Sequence, residues 1–266
     1  MTTGLAHAKI NLALAVGPMR PDGLHEIATI YQRLELADGL TFEPADHLAV
    51  EGFAEDTLVR RALLEVAGAA RTEPGWRVTI DKRIPVGAGL GGGSSDAATA
   101  IRLACRALAN PLADDCVHSI ARGLGADVPF FLEPGPKLGT GDGTTLEPLE
   151  LAQDYSVLLI LPHGERKPST AEIYRRFEQA AGFADRRAAI LEIAGAGRHA
   201  DLAGLPANDL ASSPIAEKLR RLGAFRADVS GAGPVVYGLF PDRAVAEAAG
   251  DAVSGLGASW ITRPAW

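Results

Sequence analysis

Apolar and polar positions alternate along residues 8–16, with Ile10, Leu12, Leu14 and Val16 separated by Ala and Asn, which predicts a strand. Residues 29–36 and 40–43 read as two further strands, joined by a turn at Asp38-Gly39. Leu58, Val59, Ala62, Leu63 and Val66 share one helical face, with Asp56 as a cap before them. Trp76, Val78 and Ile80 then alternate with Arg77, Thr79 and Asp81, a half-buried strand ending near Pro85. Helices are predicted over 96–109 and 113–124, the second stopped by Gly125. Residues 132–144 are rich in Gly, Pro and Thr.

Beyond Leu149 the pattern restarts. The apolar run at 156–161 fits a buried strand. Thr170 can cap a helix bearing Ile173, Tyr174, Phe177 and Ala181, ended by Gly182. Ile215, Leu219 and Leu222 mark another helix, and strands at 225–230 and 235–240 flank the turn Ser230-Gly231-Ala232-Gly233-Pro234. A helix at 243–254 and a strand at 259–262 close the chain. The elements do not alternate regularly as βαβα, so the expected class is α+β, in two domains, 1–150 and 151–266.

Composition narrows the function. With 47% hydrophobic and 22% charged residues among 266, the chain is globular in type. Its net charge of −7, with no basic block, argues against a nucleic-acid partner. No apolar run reaches the roughly 18 residues of a membrane span, and no basic-then-apolar leader opens the chain. The two cysteines, Cys105 and Cys116, lack zinc-type spacing and suggest a reducing compartment, so the expected location is cytoplasmic. His7, His47, His118, His163 and His199 show no paired spacing and read as structural or solvent-facing.

The chemistry gathers at Pro85-Val86-Gly87-Ala88-Gly89-Leu90-Gly91-Gly92-Gly93-Ser94-Ser95. Such a run of glycines loses much backbone entropy on folding, which is reasonable where the backbone must approach a ligand closely. Successive N–H groups, followed by a helix N-terminus, make an anion cradle, so the loop reads as a polyphosphate site. Ser94 and Ser95 can cap the helix or touch phosphate and metal. No Lys follows the glycines, so a Walker A loop is excluded. Gly87, Gly89 and Gly92 match G-x-G-x-x-G literally, but no acidic residue on a second parallel strand follows about 20 residues on. Lys9, between apolar neighbours, is either an edge-strand charge or a buried functional cation. Asp127, before Val128-Pro129-Phe130-Phe131, is a cap or turn carboxylate unless a substrate hydroxyl lies beside it. The turn at 230–234 is either a plain hairpin or a second close-approach backbone.

Taken together, Ala8-Lys9-Ile10-Asn11, the loop 85–95, the stretch 125–131 and the turn 230–234 resemble the motifs of the GHMP kinases. The likeness covers about residues 6–240. It implies a two-domain α+β fold with the active site in the inter-domain cleft. Arg20-Pro21-Asp22-Gly23-Leu24-His25 and Asn208-Asp209-Leu210 point to one branch of that family. That branch transfers the γ-phosphoryl of ATP to the 2-hydroxyl of a cytidine-diphosphate-linked methylerythritol, in the non-mevalonate route to isoprenoids. Residue by residue, the resemblance implies Lys9 and Asp127 as the catalytic pair and 85–95 as the ATP loop. It implies Asn11, His25, and Tyr174 within the Thr170-Ala171-Glu172-Ile173-Tyr174 segment as substrate contacts. Mg²⁺ would bridge phosphate oxygens, with Ser95 as a candidate ligand. Three positions depart from the family: Leu24 stands where Tyr is usual, Thr57 where Asn is frequent, and residues 138–142 replace a G-x-G-E pattern. A sister kinase acting on homoserine or mevalonate, and a non-catalytic nucleotide binder of the same fold, are the rival readings.

Overall fold

In the computed structural model the described residues are 1–53, 58–164, 170–178, 181–196 and 199–266. The expected cap Asp56 and the departure at Thr57 lie outside them. In chain order the elements are β1 (Thr2–Met19), β2 (His25–Pro44), β3 (Ala49–Glu51), α1 (Leu58–Ala70), β4 (Trp76–Asp81), α2 (Gly92–Ala107), α3 (Asp114–Leu124), α4 (Val128–Leu132), β5 (Lys137–Gly141) and β6 (Thr145–Pro148). There follow β7 (Ser156–Pro162), α5 (Thr170–Arg175), α6 (Phe183–Ala196), α7 (His199–Leu202), α8 (Pro214–Arg221), β8 (Arg226–Val229), β9 (Val236–Phe240), α9 (Arg243–Val253) and β10 (Gly257–Thr262). None of the helices among the described residues is long and apolar enough to cross a membrane.

Two compact units interleave along the chain: Met1–Ala8, Leu36–Val86 and Gly91–Pro134 form the first, and Lys9–Glu35, Gly87–Leu90 and Gly135–Trp266 the second. Strands β1 and β2 therefore contribute residues to both.

In the first unit β4 lies between β3, which it pairs in parallel, and the end of β2, which it pairs antiparallel from Gly39↔Asp81 to Pro44↔Trp76. The apolar face of α1, with Val59, Ala62, Leu63 and Val66 buried, packs against α2 and α3. Two expectations are corrected here. There is no turn at Asp38-Gly39, because β2 runs through both residues. Asp38 is buried and its carboxylate anchors the chain at Arg83 and Ile84, so the polar pair is an internal tie. Helix α2 starts at Gly92, four residues before the expected start, because Gly91 in the left-handed region (φ 70°) serves as its N-cap and Ser95 N donates to Gly91 O at 2.9 Å.

In the second unit β5 pairs antiparallel with the start of β2 and with β6. This hairpin occupies part of the Gly- and Thr-rich stretch, to which no element was assigned from the sequence. Gly139 is required there, since a Cβ would come 2.6 Å from Cε2 of Tyr31. A second sheet has the order β10-β7-β9-β8, all antiparallel. One face of it buries Leu158, Ile160, Val229, Val236 and Phe240 against α8 and α9, through Leu219, Ala246 and Val253. Burying a large apolar side chain contributes roughly 1.5–3 kcal/mol, so this cluster anchors the unit. The helix after Thr170 is shorter than expected and ends at Arg175, although Tyr174 and Phe177 still pack on Leu14, Val16 and Ile27.

Candidate active site

Lys9 is 4% exposed, so it is a buried cation and not a solubility device on a strand edge. A buried ammonium needs polar partners. Its Nζ donates to Asn11 Oδ1 at 2.8 Å and lies 5.4 Å from the centroid of the Tyr31 ring. Lys9 and Asn11 are two apart on β1 and Thr29 and Tyr31 two apart on β2, so each pair shares a strand face. Asn11 Nδ2 donates to Thr29 Oγ1 at 2.8 Å, and Thr29 in turn donates to Ala13 O at 2.6 Å.

The first half of the glycine loop docks beside this strand. Lys9 N donates to Leu90 O at 2.9 Å, and Ala88 and Leu90 bury their side chains as anchors. The turn at 230–234 is more than a hairpin. Val235 N donates to Ala88 O at 3.2 Å, and Ser230 Oγ to Gly89 O at 3.3 Å. Gly89 has φ +82°, and a Cβ on it would stand 2.7 Å from Gly233 O and 2.9 Å from Ser230 O. Only glycine permits both that conformation and that approach. On the turn's other side, a Cβ on Gly231 would meet Asn11 Oδ1 at 3.0 Å and Lys9 Nζ at 3.7 Å. Lys9, Asn11, Gly89 and the second turn are thus brought together, although more than 200 residues separate the ends of the set.

A buried network holds the second turn. Asn208 Nδ2 donates to Gly231 O at 2.6 Å and to Val229 O at 2.9 Å. Asp228 accepts from Asn208 N, and Arg226 spreads its guanidinium over the carbonyls of Leu12, Leu205 and Pro206. Burial raises the Asp228 carboxyl above its ordinary range, against the pull of Arg226. The next residue, Asp209, accepts from Val16 N at 2.8 Å and from Arg186, tying the loop to β1.

In the first unit the later glycines form the opening of α2. The amides of Gly92, Gly93 and Ser94 precede the first intrahelical bond, which leaves them no partner within the helix. The seryl hydroxyls do not cap the helix, and Ser95 is 1% exposed. Lys82 Nζ donates to Asp38 Oδ2 and to Asp96 Oδ2, each at 2.6 Å. Asp38 Oδ1 accepts from the amides of Arg83 and Ile84, just before Pro85. The chain entering the glycine loop and the helix leaving it are both tied to this cluster. Burial pushes Asp96 up to about 7, against the lowering effect of Lys82, with Asp38 adding to the rise. Burial opposes the Lys82 charge, but the two carboxylates outweigh it and hold the ammonium above its usual range. Asp127 is half-buried at the N-cap position of α4, and its carboxylate does not cap that helix.

His25 Nδ1 lies 2.8 Å from Gly17 O, so Nδ1 carries the hydrogen. The other ring nitrogen, Nε2, is buried with no partner among the described residues. The ring sits 6.1 Å from that of Tyr174 and edge-on to Phe177 at 5.8 Å. Leu24 is 51% exposed beside it. Thr170 begins α5, and its side chain lies outside the described residues.

Sequence reasoning missed Thr29, Arg226, Asp228 and the Lys82 cluster, which are isolated polar residues inside strands or beside them. Asn208-Asp209-Leu210 was a legible signal without a role. The structure supplies one for each member: holding the second turn, holding β1, and packing on Leu14, Val16 and Ile27.

Two glycine backbones are pressed together beside a buried lysine, an arrangement whose amides and positive charge suit an anion. The GHMP kinases N terminal domain matches residues 57–135 and the GHMP kinases C terminal domain residues 190–258, together more than half of the chain. The chain belongs to the GHMP kinases, small-molecule kinases that use ATP. Among its relatives, the 4-diphosphocytidyl-2-C-methyl-D-erythritol kinase of Pelotomaculum thermopropionicum is 38% identical over 261 residues, covering 90% of this chain and 89% of that protein. A crystal structure of 4-(cytidine 5'-diphospho)-2C-methyl-D-erythritol kinase superposes with a TM-score of 0.82 at 34% identity, covering 100% of both chains. A mevalonate kinase structure shares the fold at TM-score 0.75, with 13% identity over 100% of this chain and 99% of that one.

Proposed function

We propose that this protein phosphorylates the 2-hydroxyl of 4-diphosphocytidyl-2-C-methyl-D-erythritol with ATP. The identity to kinases of that name over nine-tenths of the chain carries this reading. The geometry around His25 supports the cytidine part. Cytosine presents an exocyclic amine donor, which complements the buried Nε2 of a neutral ring, and its faces suit an aromatic neighbour such as Tyr174. Thr170, at the start of the same helix, and Asn11 complete the proposed substrate contacts.

Residues 85–95 would hold the ATP phosphates through backbone amides at the start of α2. Lys9 and Asp127 would be the catalytic pair. The substrate hydroxyl oxygen attacks the γ-phosphorus, the bond to the β,γ-bridging oxygen breaks, and the hydroxyl proton passes to the Asp127 carboxylate. ADP leaves with the negative charge that the Lys9 ammonium helps to stabilise. No cluster of three His, Cys, Asp or Glu that could hold a metal exists among the described residues. An Mg²⁺ would be held through the nucleotide phosphates and water, with Ser95 as its proposed protein ligand. Bound there, the ion supplies neutralisation of phosphate charge. A cytoplasmic location is proposed from the sparse, free cysteines.

Purified protein, ATP, Mg²⁺ and the cytidine substrate should yield the 2-phosphate by mass spectrometry, and Lys9→Ala should abolish it. Homoserine and mevalonate serve as parallel acceptors. Product from either one alone would move the assignment to a sister kinase. ATP binding without product from any acceptor would favour a non-catalytic binder.

A further inference from the structure

We propose that Thr29 is a positioning residue for Lys9, acting through the carboxamide of Asn11; this rests on Lys9 serving the phosphoryl transfer proposed above. Thr29 has no exposed surface. Its Oγ1 lies 2.6 Å from Ala13 O, a carbonyl that can only accept, so the hydroxyl hydrogen is committed there. The oxygen therefore offers only lone pairs to Asn11. Of the two ends of that carboxamide, only the NH₂ can complement it, and Nδ2 sits 2.8 Å away. With Nδ2 fixed, Oδ1 must face the other way, towards Lys9 Nζ at 2.8 Å.

A carboxamide turned by 180° would fail at both ends. Oδ1 would meet a hydroxyl oxygen with no hydrogen to give, and Nδ2 would point donors at an ammonium. Thr29 thus decides which end of Asn11 the lysine sees, and the ammonium is held by an acceptor of fixed direction.

Steric contacts fix Thr29 in turn. On the neighbouring strand Thr29 pairs with Gly139. A Cβ at 139 would lie 3.1 Å from Thr29 Cγ2 and 2.6 Å from Tyr31 Cε2. The missing side chain leaves room for the threonine methyl on the β5 side, while the hydroxyl turns to β1. The same gap admits the Tyr31 ring that lies beside the Lys9 ammonium. Gly139 thereby shapes the lysine's surroundings from behind.

The test compares Thr29→Val, which keeps the shape and removes the hydroxyl, with Thr29→Ser, which keeps the hydroxyl. The valine variant should lose roughly tenfold to a hundredfold in kcat, the scale of a displaced reacting group, while KM for ATP shifts less than about twofold. The serine variant should recover most of that loss. A valine variant with wild-type kcat would overturn the proposal. So would equal losses in kcat, ATP affinity and melting temperature that serine does not rescue, because those mark a purely structural role. A crystal structure of Thr29→Val supplies a readout that needs no turnover. The Asn11 carboxamide is expected to rotate or the Lys9–Asn11 contact to break, and an unchanged contact at 2.8 Å also overturns the proposal. Wild-type protein without kinase activity would instead overturn the proposed function, while the crystal structure would still decide whether Thr29 orients Asn11.

Discussion

Lys82 Nζ stands 2.6 Å from Asp96 Oδ2, a carboxylate with no exposed surface in the first turns of α2. Lys82 also serves Asp38, so one ammonium faces two buried carboxylates, and Asp96 Oδ1 has no hydrogen-bond partner among the described residues. Asp96 at about 7 is far above an unfolded aspartate at about 3.9. Between those values the folded protein binds the extra proton. The stabilisation is complete below about pH 4 and is lost as pH rises through about 7. Asp96→Asn removes this titration. Its melting temperature relative to wild type should therefore rise by several degrees between pH 5 and pH 8.5, at about 2–4 °C per kcal/mol for a protein near this size. Parallel melts across that range check it, and a constant difference would show that Asp96 does not titrate there.

Gly89 and Gly87 make an internal control. Both have positive φ, but a Cβ at 89 meets two carbonyl oxygens, whereas at 87 nothing lies within 4 Å. Gly87→Ala should cost about 1 kcal/mol from backbone strain alone. Gly89→Ala should cost clearly more and weaken ATP binding, because the loop and the second turn must separate. Denaturant midpoints and calorimetric titration with ATP measure both effects.

Asp127→Asn is expected to lower kcat by about 10²–10⁴-fold, the usual scale for removing a general base. ATP affinity should change little, since the proposed phosphate contacts come from 85–95. Unchanged kcat would remove Asp127 from the base role.

Leu24→Tyr would add an aromatic face beside His25. Base–aromatic stacking contributes about 1–3 kcal/mol, so KM for the cytidine substrate should fall by roughly tenfold while KM for ATP stays nearly level. A flat or raised KM for the cytidine substrate would show that residue 24 does not face the base.

Much of this protein follows from local chemistry. The alternation at 8–16, the amphipathic face of α1, the buried run of β7 and the glycine stop after α3 are short-range patterns, and each is seen in the fold. The loop-then-helix arrangement at 85–95 is legible for the same reason: the glycines and the helix start that follows lie within about ten residues. Less was legible where a neighbour supplies the partner. Asp38-Gly39 has turn chemistry, yet the Asp38 carboxylate meets Lys82 and the amides of Arg83 and Ile84, so the strand continues. Residues 132–144 have loop composition, but β2 and β6 satisfy the backbone of β5 on both sides. The turn at 230–234 has the sequence of a plain hairpin, yet Gly89 packs against it. Thr29 was one polar residue in a strand. The sequence by itself determined which segments can pair or coil and which loop leads directly into a helix start. The tertiary structure decided what each polar group faces, because a hydrogen bond between residues more than 200 apart leaves no trace in the local pattern of either.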